Sequence, residues 1–317
     1  MESLTIVQRQ SPWRNIGKQL KQSRFLIAMI IPAVAFYFIF CYIPMYGVLM
    51  AFTTYYPKLG IWGSLQYHFV GFQNFSIIFN NDPKFLNVLR NTVLIGFGKI
   101  IISFVSAIAM ALLINDLRMR HFKKVAQTIV TFPHFLSWVV IAGFINVLFA
   151  RTGIIDDIIA YCGGTRVDFL TNGNFFLALI FTSDVWKEAG WSSIIYLATM
   201  AGISPELYEA ADIDGATRLQ KTWHITLPGI KPTAVLLLIM SVGGLLSAGF
   251  DQIFNLYNPL VYDQVDILDT YIYRQTFKDL VNPGVGTAIG LFKSVVSFLL
   301  VVVVDRIAKL CGERGII

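Results

Sequence analysis

The sequence predicts an all-α integral membrane protein with six transmembrane helices. Two observations lead to this fold class. Hydrophobic residues make up 56% of the chain and charged residues only 14%, whereas soluble domains carry about 25% charged residues. The apolar residues also gather into six segments that are long enough for a bilayer core, which needs about 20 residues per helix. Lipid is therefore the expected solvent for most of the chain.

The six predicted spans follow one another with short or moderate loops between them. They cover approximately residues 25–52, 85–114, 125–149, 175–200, 234–256 and 284–304. Pro32 and Pro44 are expected to bend the first span. Arg90, Asn91 and Lys99 interrupt the second span, so one of its faces must meet protein or water rather than lipid.

The spans form one predicted domain, residues 25–310, between short tails at residues 1–24 and 311–317. The first tail is basic, and its segment Pro12–Leu20 fits either an interfacial helix or a disordered tail. The three cysteines, Cys41, Cys162 and Cys311, show neither a pairing pattern nor a metal-binding spacing.

The loops differ in charge on the two sides of the predicted membrane. Loop 115–124 carries Arg118, Arg120, Lys123 and Lys124 against Asp116, while loop 257–283 contains four aspartates against two basic residues. Six spans put both termini on the same side as loop 115–124, and the positive-inside rule makes that side the cytoplasm. The sequence thus predicts a multi-pass protein of the cytoplasmic (inner) membrane. Its net charge of +6 is explained by these loops, so we expect no nucleic-acid partner.

A polar stretch between the fourth and fifth spans contains the most distinctive motif. Residues 204–216 read Ser-Pro-Glu-Leu-Tyr-Glu-Ala-Ala-Asp-Ile-Asp-Gly-Ala, and Ile-Thr-Leu-Pro follows at residues 225–228. We predict a short helix, a turn and a second short helix. Ser204 is a suitable N-cap and Pro205 suits the first helical position. Gly215 permits the backbone to leave the helix, and Pro228 is not expected to continue one.

This spaced string resembles the "EAA" cytoplasmic loop of permeases from binding-protein-dependent ABC importers. In that family the loop is a coupling helix, which docks into a groove on the ATPase subunit. The resemblance implies a coupling loop over residues 203–232. The residues implied in coupling are Glu209, Ala210, Ala211, Asp214, Gly215, Ala216, Ile225, Leu227 and Pro228.

Further stretches resemble the oligosaccharide and polysaccharide permeases of the maltose-importer type. They are residues 70–75 (Val-Gly-Phe-Gln-Asn-Phe), 91–92 (Asn-Thr), 132–138 (Phe-Pro-His-Phe-Leu-Ser-Trp) and 186–191 (Trp-Lys-Glu-Ala-Gly-Trp). The last two point to the lipoprotein-associated polysaccharide branch, which includes permeases for alginate. The resemblance implies the type I ABC importer permease fold and a saccharide substrate, with an acidic one such as alginate as a candidate.

The same resemblance implies several partners. They are a second homologous permease subunit, two ATP-binding subunits that hold ATP and Mg, and a periplasmic or lipid-anchored solute-binding protein. Whether the two permeases are identical is left open by the sequence. This chain is expected to bind no cofactor or metal itself.

The fourth span carries the first candidate for the substrate path. Asp184, Lys187 and Glu188 are three or four residues apart and share one helical face, which Trp191 continues; Trp186 lies in the same cluster. Charges persist in a membrane when they pair or line a water-filled path, and aromatic faces beside hydrogen-bonding groups suit sugars. Two interpretations stay open: a substrate path, or a buried ion pair that fixes helix packing.

A second candidate lies at the outer end of the fifth span and includes Phe250, Asp251, Gln252, Asn255 and Tyr257. It fits either substrate contact or a turn at the membrane interface. In the maltose-type relatives sugar contacts come from spans that match the fourth and fifth, and this supports Trp186, Asp251, Gln252 and Asn255 as candidates.

Lys293 stands alone in the sixth span. We expect it to face a cavity or an acid from another helix, with Asp184 or Glu188 as the candidate partners.

No catalytic constellation is present in the sequence. It contains no P-loop motif for ATP, and the four histidines, His68, His121, His134 and His224, are scattered without a ligand spacing. An enzyme is therefore not expected, and ATP hydrolysis is assigned to partner subunits. The remaining alternative is an ion-gradient-driven secondary transporter. It would explain the intramembrane charges but not the Glu-Ala-Ala string, and the internal repeats typical of such transporters are not found.

Overall fold

The computed structural model describes residues 23–80, 82–278, 283–310 and 312, and these are largely helical. The helices are α1 (Arg24–Tyr37), α2 (Gly60–Tyr67), α3 (Gln73–Asn80), α4 (Pro83–Asn115), α5 (Arg120–Thr131), α6 (Trp138–Phe149), α7 (Ile154–Tyr161), α8 (Gly173–Ala201), α9 (Pro205–Ile213), α10 (Arg218–Lys221), α11 (Leu227–Gly243), α12 (Phe250–Leu256), α13 (Tyr262–Val265), α14 (Leu268–Tyr273) and α15 (Pro283–Leu310). The expected interfacial segment Pro12–Leu20 and residues 313–317 lie outside the described residues.

The fold class predicted from the sequence is confirmed. Five helical segments of the described chain are long and apolar enough to cross a membrane: Arg24–Phe52, Pro83–Asn115, Trp138–Tyr161, Arg218–Gly243 and Pro283–Leu310. They correspond to the first, second, third, fifth and sixth predicted spans. The fourth span, α8, has the necessary length but carries Asp184, Lys187 and Glu188 near its middle. Its position inside the helix bundle explains how it tolerates these charges.

The first span runs without a gap from Arg24 to Phe52, but its helical geometry changes along the way. A π-helical turn, Phe38–Tyr42, follows α1, and a 3-10 helix, Ile43–Phe52, completes the span. Residues from Arg24 to Tyr42 bury no side chain against the rest of the described chain. This half of the span is therefore available to lipid or to another protein.

The third span is interrupted, contrary to the prediction of one segment over residues 125–149. Helix α5 ends at Thr131, a 3-10 turn covers Phe132–Phe135, and Leu136 is extended. Ser137 then caps α6 by accepting a hydrogen bond from the amide of Val140. The physical reason is local: Pro133 lacks an amide donor, and Ser137 supplies a cap that starts a new helix.

The fifth span is interrupted as well, and the prediction of a continuous helix over residues 234–256 is wrong. Helix α11 ends at Gly243, a short 3-10 turn covers Leu245–Ser247, and α12 begins at Phe250. Ala248 and Gly249 both have positive φ angles, 46° and 84°. An α-helix cannot pass through such residues, because the left-handed region turns the chain out of the helical path.

The same span begins earlier than predicted. Helix α10 continues through a π-helical turn, Thr222–Thr226, directly into α11. Pro228 lies in the first turn of α11, so the expectation that it ends a helix is wrong. Pro228 has no amide proton to donate, and it comes just after the π-helical turn, where the regular i to i−4 hydrogen bonds are already replaced.

Two of the three polar residues that interrupt the second span meet protein, as predicted. Asn91 and Lys99 are buried, whereas Arg90 is exposed. The amide of Asn91 donates to the carbonyl of Asp263 at 3.0 Å, and the neighbouring Thr92 hydroxyl accepts from the amide of Leu268 at 2.9 Å. These bonds fix the outer end of the second span to the chain that leads into α14.

Three apolar cores hold the described part of the chain together. The largest joins the second, third, fourth and fifth spans around Ile95, Phe176 and Ile253. Another joins the end of the first span to the second and sixth around Phe85. The third packs the inner ends of the second, fourth and fifth spans around Tyr196. The fourth span lies at the centre of this arrangement and packs along the second.

Gly190 lets the fourth span approach the end of α5 closely. A Cβ atom at this position would overlap the carbonyl oxygen of Val130 and approach the amide nitrogen of Thr131 to 2.9 Å. Backbone atoms cannot move aside as a flexible side chain can, so this contact requires glycine.

We therefore expect Gly190→Ala to lower the free energy of unfolding by about 1–3 kcal/mol, the usual effect of overpacking. Gly290→Ala is the matched control, because no atom lies within 4 Å of its Cβ position. The measurement is thermal unfolding of the purified variants in detergent. Equal unfolding midpoint temperatures for the two variants would show that Gly190 is not in tight contact with the backbone of α5.

Candidate functional site

The loop between the fourth and fifth spans folds as predicted into a helix, a turn and a second helix. The Ser204 hydroxyl caps α9 by accepting from the amide of Glu206. At the other end, the amide of Ala216 donates to the carbonyl of Ala211 at 2.9 Å, and that of Gly215 to Asp212 at 3.2 Å.

These two bonds form a Schellman motif, in which the residue after the C-cap adopts a left-handed conformation. Gly215 fills that position with a φ of 73°. Glycine is favoured here because it adopts this φ without the steric penalty of a Cβ atom.

The predicted coupling residues form an open, exposed surface. Glu209, Ala210, Asp214, Gly215 and Pro228 are exposed. Ala211, Ala216, Ile225 and Leu227 are partly buried. A depression of about 380 Å³ lies among them and is lined by Ala211, Asp214, Gly215, Ala216, Gln220, Lys221, His224 and Ile225. Next to it, Ile213 is 87% exposed, so the loop presents small and apolar side chains to solvent.

The loop is attached to the ends of two spans by residues that the sequence did not single out. The hydroxyls of Tyr208 and Thr226 lie 2.9 Å apart and join α9 to the start of the fifth span. Arg218 pairs with Asp116, which directly follows the second span, at 3.3 Å. Within the loop, Lys221 pairs with Asp212 at 2.6 Å. These contacts join the loop to the start of the fifth span and to the end of the second span.

The charged cluster of the fourth span divides into two groups of contacts. In the first, Asp184 pairs with Lys99 of the second span at 3.2 Å and accepts from the Ser103 hydroxyl at 3.0 Å. Lys99 also donates to the side-chain oxygen of Gln252. The sequence marked Lys99 as an interruption but did not identify its partner.

Gln252 is fully buried, and both the oxygen and the nitrogen of its side-chain amide form hydrogen bonds. Besides accepting from Lys99, it donates to the carbonyl of Ile180 at 2.7 Å and to the Ser183 hydroxyl at 2.9 Å. Its hydrogen bonds thus join the second, fourth and fifth spans, and its amide has no exposed surface to offer a ligand.

The second group lies at the break in the third span. Lys187 donates to the carbonyl of His134 at 2.5 Å and lies 3.4 Å from Glu188. The Nδ1 atom of His134 lies 2.8 Å from Glu188, and its ring stacks on Trp191 with centroids 4.4 Å apart. The ammonium group thus binds a carbonyl that the helix break leaves without a helical partner.

Trp186 faces away from both groups. Its side chain is 53% exposed and lies in a cleft of about 590 Å³ with Leu136, Ile141, Phe144, Ile145, Leu148, Phe149, Leu179, Thr182 and Ser183. The ion pairs fit the packing interpretation of the cluster, and the substrate path stays a prediction. Its charged members are engaged in pairs that fix packing, while Trp186 offers an aromatic face to a cavity.

The outer end of the fifth span forms an aromatic cluster with polar edges. The rings of Phe250 and Phe254 stack at 5.1 Å, and Phe254 meets Tyr273 of α14 at 4.8 Å. Tyr257 lies 4.9 Å from Tyr262. Asp251 is exposed, and Asn255 donates to its carbonyl at 2.7 Å.

Lys293 pairs with neither of the expected acids. Its ammonium lies 2.6 Å and 2.7 Å from the two carboxylate oxygens of Asp269, at the start of α14. Asp184 and Glu188 are engaged elsewhere. The expectation that Lys293 faces an acid from another helix is confirmed, but the two candidate partners named for it were wrong. The partner depends on how α14 packs against the sixth span, which composition does not reveal.

Comparisons with known proteins give a consistent result along the whole chain. Residues 103–314 match the family described as the binding-protein-dependent transport system inner membrane component. The polygalacturonan/rhamnogalacturonan transport system permease protein YteP of Bacillus subtilis (strain 168) is 40% identical over 94% of this chain and 92% of its own length. Protein LplB of the same organism is 38% identical over 97% of this chain and 98% of its own length.

Solved structures agree with these relatives. A chain of a bacterial ABC transporter involved in the import of the acidic polysaccharide alginate superposes with a TM-score of 0.84 at 34% identity, over 93% of this chain and 98% of that one. A second structure is that of a bacterial alginate ABC transporter in complex with an alginate pentasaccharide-bound periplasmic protein. Its matching chain also superposes with a TM-score of 0.84, at 35% identity, over 94% of this chain and 99% of that one.

The pairing of Lys99 with Asp184 leads to a prediction about stability. Asp184→Asn leaves a buried ammonium without its counter-charge, so we expect the free energy of unfolding to fall by about 3–5 kcal/mol. The double variant Lys99→Met/Asp184→Leu removes both charges and should recover most of that loss.

The control is Asp116→Asn, since the Asp116–Arg218 pair is exposed and should change stability by at most about 1 kcal/mol. Chemical unfolding of the purified chains measures the free energy of unfolding of Asp184→Asn, of the double variant and of Asp116→Asn. A double variant less stable than Asp184→Asn would show that the two charges are not paired.

Proposed function

This chain belongs to the family of binding-protein-dependent transport system inner membrane components, and we propose that it is a permease subunit of an ABC importer for oligosaccharides or polysaccharides. The observation that carries the proposal is similarity at 34–40% identity, over nearly the full length, to chains named for polygalacturonan or alginate import. The folded loop after the fourth span supports the same assignment, because it supplies an exposed docking helix at one end of the bundle.

We assign coupling to Glu209, Ala210, Ala211, Asp214, Gly215, Ala216, Ile225, Leu227 and Pro228. Exposed small residues allow a partner to approach the backbone of α9 closely, and the acid Glu209 offers a contact for a basic group. ATP and Mg are bound in two partner ATPase subunits, and this chain acts without a cofactor or catalytic residue of its own. The bonds Tyr208–Thr226 and Arg218–Asp116 carry the motion of the ATPases to the fifth and second spans.

The remaining partners are those that the family resemblance implies. A second, homologous permease packs against this chain; the first span, which buries nothing from Arg24 to Tyr42, is a suitable surface. A periplasmic or lipid-anchored solute-binding protein docks on the opposite face from the coupling loop. The protein lies in the inner membrane with both termini and the basic loop 115–124 in the cytoplasm.

The substrate is proposed to be recognised by aromatic faces and hydrogen-bonding groups rather than by net charge. Trp186, Phe250, Asp251, Asn255 and Tyr257 are the candidate contacts on this chain. Lys187 and Lys293, the cations expected to serve an acidic polymer, already lie beside carboxylates. An acidic saccharide such as alginate or polygalacturonan fits the proposal through the relatives named for those polymers.

No observation favours an ion-gradient-driven transporter. That alternative was considered because it would explain the charges inside the membrane. The intramembrane cations Lys99, Lys187 and Lys293 all lie within 4 Å of a carboxylate in this chain, and ion pairing accounts for their presence.

Coupling is tested with Glu209→Lys and Gly215→Val in the complex purified with its ATPase subunits. Lysine reverses the charge of an exposed contact, and valine disfavours the positive φ on which the end of α9 depends. We expect about tenfold weaker retention of the ATPases or a comparable loss of substrate-stimulated hydrolysis, the effect of about 1.4 kcal/mol at a docking surface.

The matched control is Gly215→Asn, since asparagine tolerates the left-handed region. It should keep the end of α9 intact. Its loss of ATPase retention and of stimulated hydrolysis should therefore be smaller than that of Gly215→Val. If Gly215→Val and Glu209→Lys both retain wild-type ATPase binding and stimulated hydrolysis, the coupling assignment is wrong.

The substrate path is tested with Trp186→Ala. Removing the exposed indole should reduce uptake about fivefold, as expected for truncation of an aromatic contact of about 1 kcal/mol. Basal ATPase activity and assembly should remain, because Trp186 takes no part in the ion pairs. Trp186→Phe keeps an aromatic face and should retain most uptake. Loss of assembly in Trp186→Ala would instead assign the residue to packing.

A further inference from the structure

Helix α5 and the loop before it combine two surfaces that the transport proposal does not use. Apolar side chains form a stripe along α5 and its 3-10 extension: Phe122, Val125, Ile129 and Phe132 are each more than half exposed. They are spaced three or four residues apart, so they lie on one helical face. The opposite side of α5 packs against the fourth span near Gly190.

Basic residues gather at the start of the same helix. Arg118, Arg120 and Lys124 are exposed and form no ion pair with any residue that the structure describes. Lys123 donates only to the side chain of Asn115, at 3.3 Å. The one acid of this stretch, Asp116, is paired with Arg218. The positive charge at the start of α5 is therefore not compensated among the described residues.

We propose that the start of α5 binds the headgroups of anionic phospholipids in the leaflet on the side of the coupling loop. A lipid satisfies both surfaces at once, because its phosphate meets the basic residues while its acyl chains cover the apolar stripe. The stripe leads toward α6, whose residue Val139 is also exposed. A soluble acidic protein surface would match the charges but leave this continuous apolar face in contact with water.

The site lies beside the attachment of the coupling loop. Arg118 lines a depression of about 280 Å³ together with Leu112, Asn115, Asp116, Tyr208, Arg218, Lys221, Thr222 and Thr226. A bound headgroup therefore adds negative charge next to the Asp116–Arg218 pair that holds the loop to the second span. The proposal uses the cytoplasmic orientation given above, but lipid binding itself requires neither substrate nor ATP.

The experiment compares phospholipid binding to the purified full-length chain by native mass spectrometry, with phosphatidylglycerol and phosphatidylcholine as probes. The wild-type chain should retain phosphatidylglycerol in preference to phosphatidylcholine. The triple variant Arg118→Gln/Arg120→Gln/Lys124→Gln should bind phosphatidylglycerol at least about tenfold more weakly, since each basic residue contributes to attraction at an anionic surface. Raising the salt concentration should weaken binding to the wild type more than to the variant.

The matched control removes three exposed cations from the other side of the membrane, as Lys58→Gln/Lys84→Gln/Arg151→Gln, and should bind like the wild type. A charge-preserving variant, Arg118→Lys/Arg120→Lys, should also retain binding, which separates lost charge from misfolding. The proposal is overturned if the triple variant binds phosphatidylglycerol as the wild type does. It is also overturned if the control variant loses as much phosphatidylglycerol binding as the triple variant. The same variants are compared in the complex purified with its ATPase subunits. The proposal is also overturned if the triple variant there keeps its lipid but loses those subunits, since the basic residues would then bind protein.

Discussion

The high cost of an unpaired charge inside a bilayer governs how the centre of this protein is built. Lys99 and Asp184 come from different spans, and each is tolerated because the other neutralises it at 3.2 Å. Gln252 adds hydrogen bonds to the same group and brings in the fifth span. Three of the six spans are thereby fixed relative to one another at one point, and the apolar cores above and below that point follow from this arrangement.

The interruptions in the third and fifth spans are tolerated for a related reason. Backbone that leaves the helical path at membrane depth has to find hydrogen-bond partners in protein, because lipid offers none. At the break in the third span, the His134 carbonyl receives a hydrogen bond from Lys187. At the break in the fifth span, the chain lies beside Lys99 and continues into Gln252. Lys187 of the fourth span thus stabilises irregular backbone, whereas Lys99 of the second span bonds the side chain of Gln252 just after the other break.

The second span connects this centre to the side of the protein on which the loop after the fourth span lies. It is one helix of 33 residues, Pro83–Asn115, with Lys99 near its middle and Asp116 directly after its end. Asp116 pairs with Arg218 at the start of the fifth span, and Tyr208 of α9 reaches the same span at Thr226. The proposed docking surface is therefore joined to the two spans that meet at Lys99 and Gln252.

The sequence by itself determined the membrane class, the approximate positions of the spans and the shape of the coupling loop. These features depend on composition or on neighbours within a few residues, such as the cap at Ser204 and the turn at Gly215. Only the tertiary structure decided that Asp184 pairs with Lys99, that Lys293 pairs with Asp269, and that Gln252 is buried within the bundle. It also placed the break in the third span against Lys187 of the fourth span, although Pro133 and Ser137 favour that break locally. Contacts between helices far apart in sequence depend on how the helices pack, and the pattern within one helix does not contain that information.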